Sequence, residues 1–370
     1  MQTTNSVLSH TSTLARGWGE ALALAPISPT MPDTASSSWS ALSEWEHDRI
    51  IVPMQARLRA FDAFFKFLGY TVQGEAILPV FASLYWCIDQ HKCVAGIWLV
   101  PISEIANGIV KWSLRRPRPA WVDKRVRLLS WSSEFSFPSS HSQLAFMLAH
   151  WFVSASHHPQ ATSTTPGMAS YLYAALVGLS RVHVGLHYPS DVVAGAVWGL
   201  VTTAAYNGVL PSLLRIAPSE SSQLLLSLSI PGLVAAVAVV RAYRKVCESR
   251  GQDPPEWAAN ACRGKYKDRE LEPRGQPLGS YTGMLGVLFG LAVGVAFKQA
   301  QPLALPKSAR HSLLRAVLGN AGLMALFEGI AAATPRKPLA VYTSLRFIKY
   351  MMVPIYILLL APTAFNAAGI

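Results

Sequence analysis

The feature that most limits how this chain can fold is the recurrence of apolar stretches about 17 to 20 residues long with few charges, the length an α-helix needs to cross roughly 30 Å of hydrocarbon. We read nine of them, near residues 73–90, 93–112, 141–157, 168–184, 190–209, 223–242, 281–299, 313–333 and 342–361. The composition agrees. With 51% hydrophobic and only 14% charged residues, a 370-residue chain has too little charge to clothe a soluble globule of that size. The expected fold class is therefore all-α, a polytopic membrane helical bundle.

Between the apolar stretches the chain divides by composition. Residues 1–42 form a Ser/Thr-rich tail with the signature of disorder, and no basic start runs into a compact apolar block of the kind a secretory signal has. In residues 43–70, Ile50, Ile51, Met54, Leu58, Phe61 and Phe65 recur at helical spacing, which predicts an amphipathic helix lying along the bilayer. Residues 71–243 hold six of the apolar stretches and residues 281–370 the last three, with a basic polar loop at 244–280 between them. Cys87, Cys93, Cys247 and Cys262 show neither CxxC pairing nor metal-ligand spacing, so we expect no disulfide framework, metal or cofactor. The net charge of +12 lies in loops flanking apolar spans, which favours a membrane surface or a phosphorylated substrate over nucleic acid. Oligomeric state is not legible.

Three polar stretches carry chemistry. KWSLRRPRPAW ends the second apolar stretch with Lys111 and Arg118 seven apart, and Pro117 and Pro119 must stop the helix there. FPSSHS places Ser139, Ser140 and His141 at the start of the third stretch, where the first amides of a helix are ready to hold an anion. SRVHVGLHYPSD sets Arg181, His187 and Asp191 between the fourth and fifth stretches. Pro189 suits the first turn of the next helix, which brings Asp191 within a turn of His187 and able to bond one of its ring nitrogens. Counted along the spans, all three stretches fall on one side of the membrane. Together they supply three cations for a dianion, two hydroxyls and a helix start for its oxygens, and two imidazoles, one backed by a carboxylate: a set suited to phosphoryl transfer.

In order and spacing these residues resemble the signature motifs of the type 2 phosphatidic acid phosphatase superfamily, K-x6-RP, PSGH and SR-x5-H-x3-D, across roughly residues 70–210. One position departs, since Ser140 stands where Gly is usual. The resulting PSSH is similar to the branches acting on sphingoid base phosphates and dolichyl diphosphate.

The resemblance implies a catalytic core of about six spans plus about three further spans. It also implies metal-independent hydrolysis of a phosphorylated lipid. His187 would attack phosphorus, Asp191 would fix its tautomer, and His141 would protonate the leaving oxygen and then activate water. Lys111, Arg118, Arg181, Ser139 and Ser140 would hold the phosphate oxygens. The substrate implied is a sphingoid base 1-phosphate or a polyprenyl or dolichyl diphosphate, in an endoplasmic reticulum membrane, with a plastid or other membrane as alternative. A glucose-6-phosphatase-like enzyme, a lipid phosphotransferase and an inactive relative or transporter are the rival readings, and a soluble haloperoxidase shares the anion pocket. The positive-inside rule and the resemblance disagree about which membrane face holds the site. His183 is read as structural, His157 and His158 as a solvated loop, and Trp112, Trp121 and Trp151 as interface anchors.

Overall fold

A computed structural model describes residues 33–156, 165–214, 241, 255–269, 276–298, 303–335 and 339–370. The tail up to residue 32, the expected span at 223–242 apart from position 241, His157, His158 and Cys247 lie outside the described residues.

Helices account for the described chain: α1 (Asp33–Glu46), α2 (Val52–Arg57), α3 (Asp62–Tyr70), α4 (Gly74–Cys87), α5 (Gln90–Leu114), a short α6 (Pro119–Val122), α7 (Ser140–Ser156), α8 (Thr165–His183), α9 (Pro189–Leu214), α10 (Pro255–Ala261), α11 (Gln276–Lys298), α12 (Ala309–Ala333), α13 (Leu339–Ile355) and α14 (Ala361–Ala368). The apolar stretches outside 223–242 thus appear as α4, α5, α7, α8, α9, α11, α12 and α13. Among the described residues, Lys92–Val122, Ala309–Ala333 and Val341–Ala368 are long and apolar enough to cross a membrane, with a shorter apolar helix at Tyr281–Phe297. Val193, Val197 and Val201 repeat every four residues on the outer face of α9 and are 54–63% exposed, an apolar stripe suited to lipid.

Local signals set the boundaries. Asp89 caps α5 by accepting from the Lys92 amide at 3.0 Å. At the other end the helix stops at Leu114 because Arg115 turns left-handed, φ +53°, just ahead of Arg116-Pro117. Helix α9 lies along α7 and starts at Pro189. A Cβ on Gly195 would fall within 3.0 Å of the Ser139 carbonyl oxygen, so only glycine lets α9 reach the first turn of α7.

Four expectations change. Residues 43–70 are not one interfacial helix: a π-turn at His47–Ile51 and a 3-10 turn at Arg59–Phe61 break them, because Glu46, Gln55 and Asp62 each turn inward to bond the polar loops. Of their apolar face, Ile51 and Phe65 are buried while Phe61 is exposed. Helix α1 begins at Asp33, inside the stretch expected to be disordered, and carries Ser43 and Glu46 to Arg116. Part of the 244–280 loop is ordered as α10, which packs on α6, and α11 begins within it at Gln276. Trp112 and Trp121 are buried against Phe135 and Ala261 and anchor no interface, whereas Trp151 is half-buried beside Phe81. Apolar packing under a loop outweighs the pull of the head-group region on these two indoles.

The C-terminal helices close against the front of the molecule. Trp86 of α4 packs with Leu291, Phe327, Ile357 and Phe365 in one buried cluster, and its indole donates to the Ile357 carbonyl at 2.9 Å. Buried Arg315 of α12 donates to the carbonyls of Trp86 at 3.0 Å and Ile370 at 2.9 Å, binding the two halves together.

Candidate active site

The three polar stretches meet. Pro117 and the residues after it turn the chain off α5, so Arg118 folds back under the loop that precedes α7. There its guanidinium donates to the carbonyls of Glu134 (2.6 Å), Phe135 (3.3 Å) and Leu186 (2.8 Å). A fourth Arg118 contact is chemically telling: Nη1 lies 3.0 Å from Nε2 of His187. Arginine has no acceptor, so Nε2 must present its lone pair, and the His187 proton sits on Nδ1. That nitrogen faces Asp191 Oδ2 at 3.6 Å and makes no hydrogen bond.

The expected His187–Asp191 hydrogen bond is therefore absent and the two groups rest in looser contact, because Asp191 is already engaged. Its Oδ1 accepts from Arg116 Nη1 at 2.6 Å and its Oδ2 from the Tyr188 amide at 2.9 Å. Asp191 is wholly buried, as is Ser139, whose amide donates to the Asp191 carbonyl at 3.0 Å. The hydroxyl of Ser139 accepts from the Ser142 amide at 3.4 Å, so it acts as the cap of α7. Ser140 and His141 follow at the first turn, half-buried, and the His141 Nε2 is buried without a hydrogen-bond partner.

Lys111, on the last turn of α5, is 2% exposed, and its Nζ pairs with Glu134 Oε2 at 3.2 Å. Below it Asn107 bonds Gln143, which donates to the Ser103 carbonyl at 3.0 Å, so α5 and α7 hold Lys111 and His141 in fixed relation. Arg181, on the last turn of α8, is buried beside Gly69, and its Nε has no partner. Burial, followed by the charges of Arg118, Lys111 and Arg181, holds the His187 imidazole well below the usual histidine range. It is thus a neutral ring with its lone pair on Nε2, surrounded by cations, a state suited to attack on phosphorus.

The structure thus brings together Lys111, Arg118, Ser139, Ser140, His141, Arg181, His187 and Asp191. His183 points elsewhere: it bonds Asp62 at 2.8 Å and stacks on Phe65. Four residues escaped the reading of the motifs. Arg116 and Glu46 anchor Asp191 and Ser190 from behind. Glu134 is the internal counter-charge of Lys111. Glu104 lies on α5 beside the same pocket, and a lone carboxylate in an apolar span is a signal that could have exposed it. No comparable signal marks Glu46, whose role depends on contact over 70 residues of sequence.

A cavity of about 590 Å³ opens at Ser140 and His141 and runs between the helices, mostly among aliphatic and aromatic side chains. It lies within the size range of small-molecule sites.

Residues 94–212 match the family model described as PAP2 superfamily, and residues 282–370 match that described as PAP2 superfamily phosphatase, transmembrane extension. The chain is 28% identical over 159 residues to lipid phosphate phosphatase gamma of Arabidopsis thaliana, across 40% of this chain and 69% of that protein. It is 31% identical over 106 residues to phosphatidylglycerophosphatase B of Bacillus subtilis, across 26% of this chain and 48% of that protein. A third relative, sphingosine-1-phosphate phosphatase 2 of Mus musculus, is 26% identical over 140 residues, across 35% of this chain and 36% of that protein. The chain thus spans less than two thirds of the length of the second and third of these relatives.

Proposed function

The chain belongs to the PAP2 superfamily, and from that premise we propose that it is an integral membrane phosphatase hydrolysing a phosphate ester of a lipid through a phosphohistidine. The observation that carries this reading is the Arg118–His187 contact of 3.0 Å, which holds a neutral imidazole lone pair among buried cations.

Phosphate monoesters hydrolyse extremely slowly unaided, so the site has to supply a nucleophile, charge neutralisation and a proton for the leaving alcohol. The substrate phosphate enters among Lys111, Arg118 and Arg181, taking over guanidinium hydrogens that now cap Nε2. His187 Nε2 bonds to phosphorus as the ester P–O bond breaks, and His141, which takes up a proton from solvent as the phosphate dianion enters among the cations, gives that proton to the departing oxygen. His141, now neutral, takes a proton from water, whose oxygen attacks phosphorus and breaks the P–N bond to release inorganic phosphate. The Nδ1 proton of His187 stays on the Asp191 side, where the carboxylate stabilises the cation that forms on the ring. Ser139 acts through the α7 cap, and Ser140 supplies a hydroxyl at the rim.

The largely apolar cavity beside His141 favours a lipid over a sugar phosphate. Among lipids, the likeness to sphingosine-1-phosphate phosphatase 2 supports a sphingoid base 1-phosphate, with a polyprenyl or dolichyl diphosphate next, in an endoplasmic reticulum membrane. The test is phosphate release from sphingoid, glycerolipid, polyprenyl and sugar phosphates by detergent-purified protein with EDTA present. Replacement of His187 by alanine should lower turnover at least a thousandfold while the thermal transition persists; unchanged turnover in that variant overturns the mechanism. A phosphotransferase would instead move phosphate to an added alcohol.

A further inference from the structure

The cavity at His141 has walls of two origins. Helices α4, α5 and α7 of the catalytic core form one side, and α11, α12 and α13 of the C-terminal extension form the other. Of its polar residues, Glu104, Glu134, Ser140, His141 and Arg346 lie toward the catalytic groups and Gln73 and Glu75 stand at the start of α4, whereas Val287, Leu291, Val353 and Leu358 line the extension side. We propose that this cavity seats a single alkyl chain of the substrate and that the extension sets the chain length accepted. The proposal rests on the phosphatase reading and adds to it the part of the molecule that selects among chain lengths.

Volume admits a full chain. At about 30 Å³ for a group the size of a water molecule or a methylene, the cavity of about 590 Å³ has room for at least roughly 20 such groups, enough for one chain of about 16 to 20 carbons. Length agrees with volume. From Arg346 to Leu358 the helical path advances about 18 Å at 1.5 Å per residue, with the basic side chain near the phosphate end and the apolar ones beyond it.

The extension wall also resists being pushed aside. Helices α11 and α13 pack along each other, and a Cβ on Gly290 would fall within 3.0 Å of the Met351 carbonyl oxygen. Their backbones are already in contact, so α13 has no slack through which to yield to a longer chain.

The test uses n-alkyl monophosphates of 6 to 22 carbons, held at constant surface fraction in mixed micelles with the full-length protein. Wild-type kcat/KM should rise with chain length, peak near 16 to 20 carbons and fall beyond. Val287, half-buried on the cavity wall, is the place to shorten the slot. Val287→Phe should move the optimum several carbons shorter and cut turnover of the 18-carbon phosphate at least tenfold, while the 6-carbon phosphate stays within twofold of wild type. Leu291→Ala should move the optimum to longer chains. A chain-length profile parallel to wild type in either variant overturns the slot. Should Val287→Phe lose all lengths together, an unshifted optimum in Leu291→Ala overturns it. Wild-type turnover of the 6-carbon phosphate that survives His187→Ala defeats the phosphatase reading instead, so the two failures are distinguishable.

Discussion

Replacing Arg116 with methionine removes the cation that two buried carboxylates share. Its guanidinium bonds Asp191 at 2.6 Å and Glu46 at 2.9 Å, reaches the hydroxyls of Ser190 at 2.8 Å and Ser43 at 3.0 Å, and lies 3.9 Å over the Tyr188 ring. All three charged partners are at least nine-tenths buried. Deleting one member of a buried ion pair costs about 3–5 kcal/mol, because the carboxylates stay behind without their counter-charge. At about 2 °C per kcal/mol for a chain of this size, the thermal midpoint should fall by roughly 6–10 °C. Asp191 loses its guanidinium anchor, so the carboxylate facing the His187 ring can shift, and turnover should drop about a hundredfold in protein that is still folded. Thermal unfolding in detergent and phosphate release at 25 °C read the two effects separately. Glu46→Gln on the same background should recover about 1–2 kcal/mol of stability by removing one stranded charge, with no recovery of turnover. If Arg116→Met stays within 1 kcal/mol of wild type, or turns over normally, the claim that this residue organises the site from behind is wrong.

Two further outcomes follow from the same geometry. Glu134→Gln takes away the carboxylate 3.2 Å from Lys111, leaving that ammonium for the substrate dianion. Inorganic phosphate should then inhibit roughly 3- to 10-fold more tightly, about 0.7–1.4 kcal/mol for a pair whose acid is partly solvent-exposed; weaker inhibition would contradict the idea that Glu134 competes with phosphate. The His187 imidazole, depressed by burial and its cationic neighbours, stays neutral when folded but takes up a proton below pH 6.5 when unfolded. Its contribution is therefore complete above pH 6.5 and lost as pH falls, at up to about 1.4 kcal/mol per unit until the depressed pKa is reached. Denaturant unfolding at pH 7.5, 6.5 and 5.5 should show the wild type losing more than His187→Asn on acidification; identical pH profiles would exclude a depressed His187.

The legible part of this protein was local. Helix positions followed from apolar runs, two of their ends from Pro117 and Pro189, and the site's chemistry from residue types at short spacing, as with Arg181, His187 and Asp191 inside a single stretch of twelve residues. Where the reading changed, the cause lay in another segment. The periodicity of residues 43–70 was real, yet bonds from Glu46, Gln55 and Asp62 to the loops broke the helix. Trp112 and Trp121 looked like interface anchors until Phe135 and Ala261 covered them.

The sequence by itself determined an all-α membrane chain with lysine, arginine, serine and histidine placed to act on a phosphate. Only the tertiary structure decided that Asp191 answers to Arg116 as well as to His187, that Glu134 neutralises Lys111, and that the last helices complete the cavity beside His141. Hydrophobic period and capping act over a few residues and can be read along the chain, whereas the choice of partner for a buried charge is made by whichever groups packing brings within about 3 Å.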